Sequence, residues 1–168
     1  MASLKTETGK LKPIVIAVDP GYDRVGIAVM EGTALIFSEC FIPPKGAVPI
    51  RLGAVFQHLG KIIKKYKPEV LAIETLFLNT NQKTVMRVAE ARGIVVYEAS
   101  KTGLKVFEAS PPQIKMATTG YGRANKEQIM KMVRILVEIE KNKASDDEMD
   151  AIAIALTAFA HNRGSIKT

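Results

Sequence analysis

The sequence has one cysteine, no tryptophan and no long apolar run. A single thiol, Cys40, cannot build a disulfide framework; it suits a reducing compartment and reads as a small core residue. No apolar stretch approaches the roughly 20 residues of a membrane span. The first twelve residues, MASLKTETGKLK, lack the apolar centre of a signal peptide and read as a mobile basic arm. Internal repeats, low-complexity runs and an interdomain linker are also missing. One domain is therefore expected over 13–163, with a short tail at 164–168. These absences describe a soluble protein expected in the cytoplasm. Acidic residues are in the minority, 17 against 24 Lys and Arg, which leaves a net charge of +7. Such an excess favours a polyanionic partner, of which nucleic acid is the commonest.

What is present is an α/β pattern in 168 residues, 47% of them apolar. Ile14–Val18 and Val25–Met30 read as paired strands about a turn at Asp19–Arg24, and Ala34–Ile42 as a third strand ending at Pro43-Pro44. In residues 50–67, Leu52, Val55, Leu59, Ile62 and Ile63 recur at helical spacing, and Pro68 stops the run. Residues 69–74, EVLAIE, form a short buried strand. Asn79–Ala99 reads as a helix with Val85, Val88, Ala89 and Arg92 on one face. Gly93 inside it costs about 1 kcal/mol relative to alanine, which suggests close packing there. A strand at Leu104–Ala109 follows, then helices at Gln113–Ala117, Lys126–Glu140 and Asp146–His161. The order βββαβαβ followed by helices implies a mixed sheet with helices laid on it.

The chemistry concentrates in carboxylates at the ends of elements. Asp19 ends the first strand and Glu74 the fourth, where side chains leave the core. In SDDEMD, residues 145–150, Asp147 and Asp150 are three apart and share one helical face. Converging, these four acids would suit one or two divalent cations, Mg²⁺ or Mn²⁺ rather than zinc, because every donor is oxygen. Each also has a plainer reading. Aspartate before Pro-Gly is a common turn residue, a strand-end glutamate is often just solvated, and Ser145 with Glu148 fits a capping box. Asp146 and Glu148 fall to that capping role, whereas Asp150 lies past it. A second cluster, PPQIKMATTGYGRANKEQ at 111–128, carries Lys115, Arg123 and Lys126 about two loop glycines. Asn125 with Gln128 resembles a capping box, placing Lys126 at a helix N-terminus suited to a phosphate; the alternative is a flexible loop capped in the usual way. Phe77, three residues past Glu74 in a polar loop, is either a base-stacking aromatic or a core residue. Met130, Val133 and Val137 form a stripe read as core.

Taken in order, DPGYDRVGIAV, AIETLFLNTN, Ala91-Arg92-Gly93, VFEASPPQIK, GYGRANKEQI and DDEMDAIAIALT resemble the RuvC family of Holliday junction resolvases, from about Ile14 to His161. The resemblance implies an RNase H-like five-stranded mixed sheet flanked by helices, in which Asp19, Glu74, Asp147 and Asp150 hold two Mg²⁺ ions, with Mn²⁺ as a substitute. It implies DNA contacts from Lys115, Lys126, Arg123 and Phe77, the last by stacking at the point of strand exchange. Asp147 is matched in preference to Asp146 because the family spaces its acids D-x-x-D. It further implies a four-way DNA junction as substrate, a homodimer about the helix carrying Ala91-Arg92-Gly93, and, for a bacterial chain, RuvA and RuvB as branch-migration partners. The expected products carry a 5′ phosphate and a 3′ hydroxyl. One departure is Ala158, where the family has histidine; His161 lies a turn later. Rival classes are an RNase H-like nuclease acting on RNA or other branched DNA, an actin-like ATPase, and a binding module without catalysis. The second needs two domains, too many for 168 residues, and the third has no need of four acids.

Overall fold

The computed structural model describes residues 12–76, 82–139 and 144–164. Ten elements follow one another: β1 (Ile14–Pro20), β2 (Val25–Glu31), β3 (Ala34–Phe41), α1 (Val48–Tyr66), β4 (Val70–Glu74), α2 (Gln82–Lys101), β5 (Lys105–Ala109), α3 (Pro111–Thr119), α4 (Lys126–Leu136) and α5 (Asp146–Gly164). The strands form one sheet in the order β3-β2-β1-β4-β5. β1 to β3 pair antiparallel as a meander, whereas β4 and β5 run parallel to β1. The sheet is thus mixed, as the order of elements requires.

β1 and β2 are buried on both faces, which is why they read as unbroken apolar runs. Ile16 and Val18 of β1, with Ile27, Leu71 and Ile73, pack under Val55, Leu59, Ile62 and Ile63 of α1 and Val95 and Ala99 of α2. The opposite face is built from smaller side chains, Val15, Ala17, Ala28, Ala72 and Ala109, against Ala151, Ile152 and Ala155 of α5. Short side chains on both partners let α5 lie close to the sheet. That closeness later decides where its acids sit.

Four expectations need correction. α4 ends at Leu136 rather than Glu140, because Val137 turns to an extended conformation and buries its side chain in the α5-side core. α3 is longer than read from the sequence: Pro111 and Pro112 lie inside its first turn, where a missing N–H costs nothing. Gly93 meets no close packing, since a Cβ there would have no described neighbour within 4 Å. Cys40 is only half-buried and lies beside Asp147 instead of in the core. The basic arm up to residue 11, the start of the second helix at 79–81, Phe77 and the tail at 165–168 lie outside the described residues.

Candidate active site

β1 and β4 are parallel neighbours with Val18 opposite Ile73, so Asp19 and Glu74 leave the sheet side by side. Strand alternation sets their direction. Val15 and Ala17 on β1 and Ala72 on β4 face α5, and Asp19 and Glu74 continue those rows in steps of two. Gly26 of β2 stands opposite Asp19 in the ladder. A Cβ at Gly26 would overlap the backbone carbonyl of Asp147, so the glycine is what lets the first turn of α5 rest on the sheet. Glu148 fixes that turn from two sides. Its N–H donates to Ser145 Oγ at 3.3 Å, while its carboxylate accepts the Ser145 N–H at 3.2 Å and the Ser38 hydroxyl of β3 at 2.7 Å. The capping box read from the sequence is therefore also an anchor to the sheet.

The acids crowd one another. Asp19 is pushed up to about 7 by burial first, then by the charges of Asp150, Glu74 and Asp147, with Lys126 acting in the opposite sense. Burial and the Asp150 charge also raise Glu74. Burial raises Asp150 against the lowering effect of Lys126, whose Nζ lies 3.1 Å from Asp150 Oδ2. Two adjoining cavities share Asp19 and Glu74 as a wall. One of about 310 Å³ is completed by Lys115, Lys126, Asp150 and Ile154. The other, of about 280 Å³, is completed by Thr84, Val85, Val88 and Arg92 of α2 and by Pro111. The face of α2 noted in the sequence is thus largely a cavity wall, whereas Ala91, Val95 and Ala99 are its core contacts.

The fold therefore gathers Asp19, Glu74, Asp150, Lys115 and Lys126 about one opening. Lys126 is at the first position of α4, behind the Asn125–Gln128 capping box. Asp147 lies over Gly26 but turns its carboxylate to Arg24, whose Nε is 2.7 Å away, and to the Cys40 thiol. Asp146 is exposed and 3.5 Å from Lys126 Nζ. Arg123 is exposed in the loop before α4 and lines neither cavity. Among the described residues no three His, Cys, Asp or Glu side chains already surround one point, and Lys126 and Arg24 are paired with oxygens of Asp150 and Asp147. The donor set nonetheless fits a hard divalent cation: all oxygen, with like charges raising Asp19 and needing neutralisation. Sequence reasoning gave three arginines no part in the site, although it placed Arg92 on one face of the second helix. Arg24 pairs with Asp147, Arg92 donates to the Glu74 carbonyl and pairs with Glu108, and Arg51 holds the turn after Asp19. Only their long-range contacts reveal them.

Residues 15–158 match the family model described as crossover junction endodeoxyribonuclease RuvC. The chain belongs to the RuvC family. Among RuvC proteins, that of Caldanaerobacter subterraneus is 39% identical over 150 residues, covering 84% of this chain and 89% of the relative. RuvC of Moorella thermoacetica is 36% identical over 148 residues, covering 85% and 89%. The solved structure of Thermus thermophilus RuvC in complex with a Holliday junction substrate superposes with a TM-score of 0.82 at 29% identity, covering 91% of this chain and 97% of that one. The sheet and its helices are thus those of RuvC, an RNase H-like fold. Ala158, the departure noted in the sequence, is buried, and His161 a turn later packs its ring against Phe107 of β5.

Proposed function

We propose that this chain resolves four-way DNA junctions by paired, symmetric nicks, through hydrolysis that leaves 5′ phosphate and 3′ hydroxyl ends. The convergence of Asp19, Glu74 and Asp150 with Lys115 and Lys126 about one opening, in a member of the RuvC family, carries this reading. Asp19, Glu74, Asp147 and Asp150 would hold two Mg²⁺ ions, which supply an activated water and stabilise the leaving oxygen. Asp147 is favoured over Asp146 because its charge is felt at Asp19, whereas Asp146 is exposed. Lys115 and Lys126 offset charge on the scissile phosphate, and once Lys126 turns to the phosphate it releases the Asp150 oxygen it now holds. Arg123 takes a phosphate further along the strand. Phe77 stacks on a base at the crossover.

A homodimer presents two such sites to the two strands of a junction. Met86, Gly93 and Tyr97 support α2 as its seam: they fall on one helical face, and all three are exposed in the single chain. Gly93, without a close neighbour among the described residues, then has its packing partner in the second copy. RuvA and RuvB are the partners for branch migration if the source is bacterial, and the single cysteine suits the cytoplasm.

The test is a labelled four-way junction beside a matched linear duplex, each incubated with Mg²⁺. Paired nicks in opposed strands of the junction, with the duplex uncut, are the expected result. Comparable cutting of an RNA–DNA hybrid or of the linear duplex would replace the junction reading with a general RNase H-like nuclease.

A further inference from the structure

Arg51 is the fourth residue of α1, and its side chain is only 9% exposed. Its position is locally unfavourable in three ways. A cation in the first turn opposes the helix dipole, and that turn contains no acid to compensate. Burying a guanidinium is costly without full pairing. Its Nε is buried without a hydrogen-bond partner among the described residues. A residue so placed against local preference points to a gain elsewhere.

The gain lies across the fold, in the four residues joining β1 to β2. Arg51 Nη2 donates to the Tyr22 carbonyl at 2.9 Å and to Asp23 Oδ1 at 2.7 Å. Nη1 reaches the Pro44 carbonyl at 3.4 Å, and the guanidinium lies 4.5 Å from the centre of the Tyr22 ring. Asp23 is largely solvent-exposed, so the hold rests mainly on the Tyr22 carbonyl and ring. This turn begins just after Asp19 and ends with Arg24, which binds Asp147. It is also tight, since a Cβ at Gly21 would overlap the Arg24 carbonyl. One forked cation therefore braces the segment that connects an acid of β1 with the arginine gripping an acid of α5. A lysine offers a single point charge and cannot hold two acceptors in that fixed fork.

We propose that Arg51 is a positioning residue for junction cleavage: it fixes the β1–β2 turn so that Asp19, and Asp147 through Arg24, keep their places. The proposal rests on the reading of these acids as the cleavage site. Its test compares Arg51→Met and Arg51→Lys with the unaltered protein, well below the melting temperature of each. Amide hydrogen exchange is read in metal-free protein, junction affinity in Ca²⁺, and single-turnover cleavage in Mg²⁺. Expected for Arg51→Met are exchange at residues 21–26 faster by about tenfold, junction affinity within about threefold, and a cleavage rate lower by at least tenfold. Arg51→Lys is expected to recover folding better than cleavage, and it serves alone if the methionine variant does not fold. Unchanged exchange in the turn, or a cleavage rate within about twofold of the unaltered protein, would overturn the proposal. So would a loss of affinity as large as the loss of rate, which would mark Arg51 as a general structural residue. If Asp19→Asn in parallel leaves cleavage intact, it is the site assignment that falls; the exchange data still decide whether Arg51 holds the turn.

Discussion

Asp19 shows how one residue is governed by its neighbours. Its carboxyl group titrates at about 7 in the folded chain, raised first by burial and then by Asp150, Glu74 and Asp147, against 3.8 as the ordinary value. Below about 3.8 it is protonated in both folded and unfolded chains. Between 3.8 and 7 only the folded form keeps the proton, and above 7 the fold carries a crowded buried charge. Stability from the protonated group is thus complete below 3.8 and lost as pH rises through about 7. Metal-free protein is expected to melt lower at pH 8 than at pH 5, and Asp19→Asn to narrow that gap by several degrees. Identical pH profiles for the two proteins in a thermal melt would show that Asp19 is not strained. Glu74 and Asp150 are raised in the same direction, so adding Mg²⁺ at pH 8 should recover part of the loss. For cleavage, Asp19→Asn, Glu74→Gln, Asp147→Asn and Asp150→Asn should each lower the rate by about 100-fold or more. Junction binding should survive, because in the proposed reading lysines and shape, rather than these acids, bind the DNA. A normal rate for Asp147→Asn beside an inactive Asp146→Asn would shift the site by one residue along α5.

Among the elements, α5 depends most on a residue outside itself. Its first turn rests where Gly26 has no side chain, and its small residues face a row of alanines on the sheet. Gly26→Ala adds one methyl group against a backbone carbonyl, which neither a rotamer change nor a flexible neighbour can relieve. Overpacking of this kind costs about 1–3 kcal/mol, or roughly 2–4 °C in melting temperature per kcal/mol for a chain of this size. The larger expected effect is on cleavage, because α5 must lift and carry Asp147 away from Asp19. A Gly26→Ala protein that melts and cleaves normally would show that α5 has other room to settle. Glu148→Gln weakens the same end differently, through the Ser38 and Ser145 hydrogen bonds.

For the whole molecule, charge and shape contribute separately to binding. A net charge of +7 gives affinity for any duplex through phosphate contacts, and that affinity falls steeply with added salt. In the proposed homodimer, recognition of a junction would depend on two sites held at a fixed separation, which salt would weaken less. In a titration of bound DNA against salt, the four-way junction should remain bound where linear duplex has been released. Parallel release of both would mean that charge alone governs binding and that no junction geometry is read.

The strands, their order along the chain and the positions of the four acids on their elements were legible in the amino-acid sequence because each follows from local periodicity and from where an apolar run stops. Asp19 and Glu74 could be placed on strand ends, and Asp147 and Asp150 on one helical face, from spacing alone. What spacing could not express was partnership across long stretches of chain. Gly26 looks like any strand glycine until α5 is laid upon it. Arg24 and Arg51 look like surface cations, and Arg92 only like part of a helix face, until their acceptors, Asp147, the Tyr22 carbonyl and the Glu74 carbonyl, are brought within reach. Cys40 reads as core in a one-dimensional pattern, yet it borders the acids because β3 runs beside β2. Periodicity records which face of an element is apolar. The neighbour that covers each face, and with it the side chains that hold the acids in place, is decided only when sheet and helices pack together.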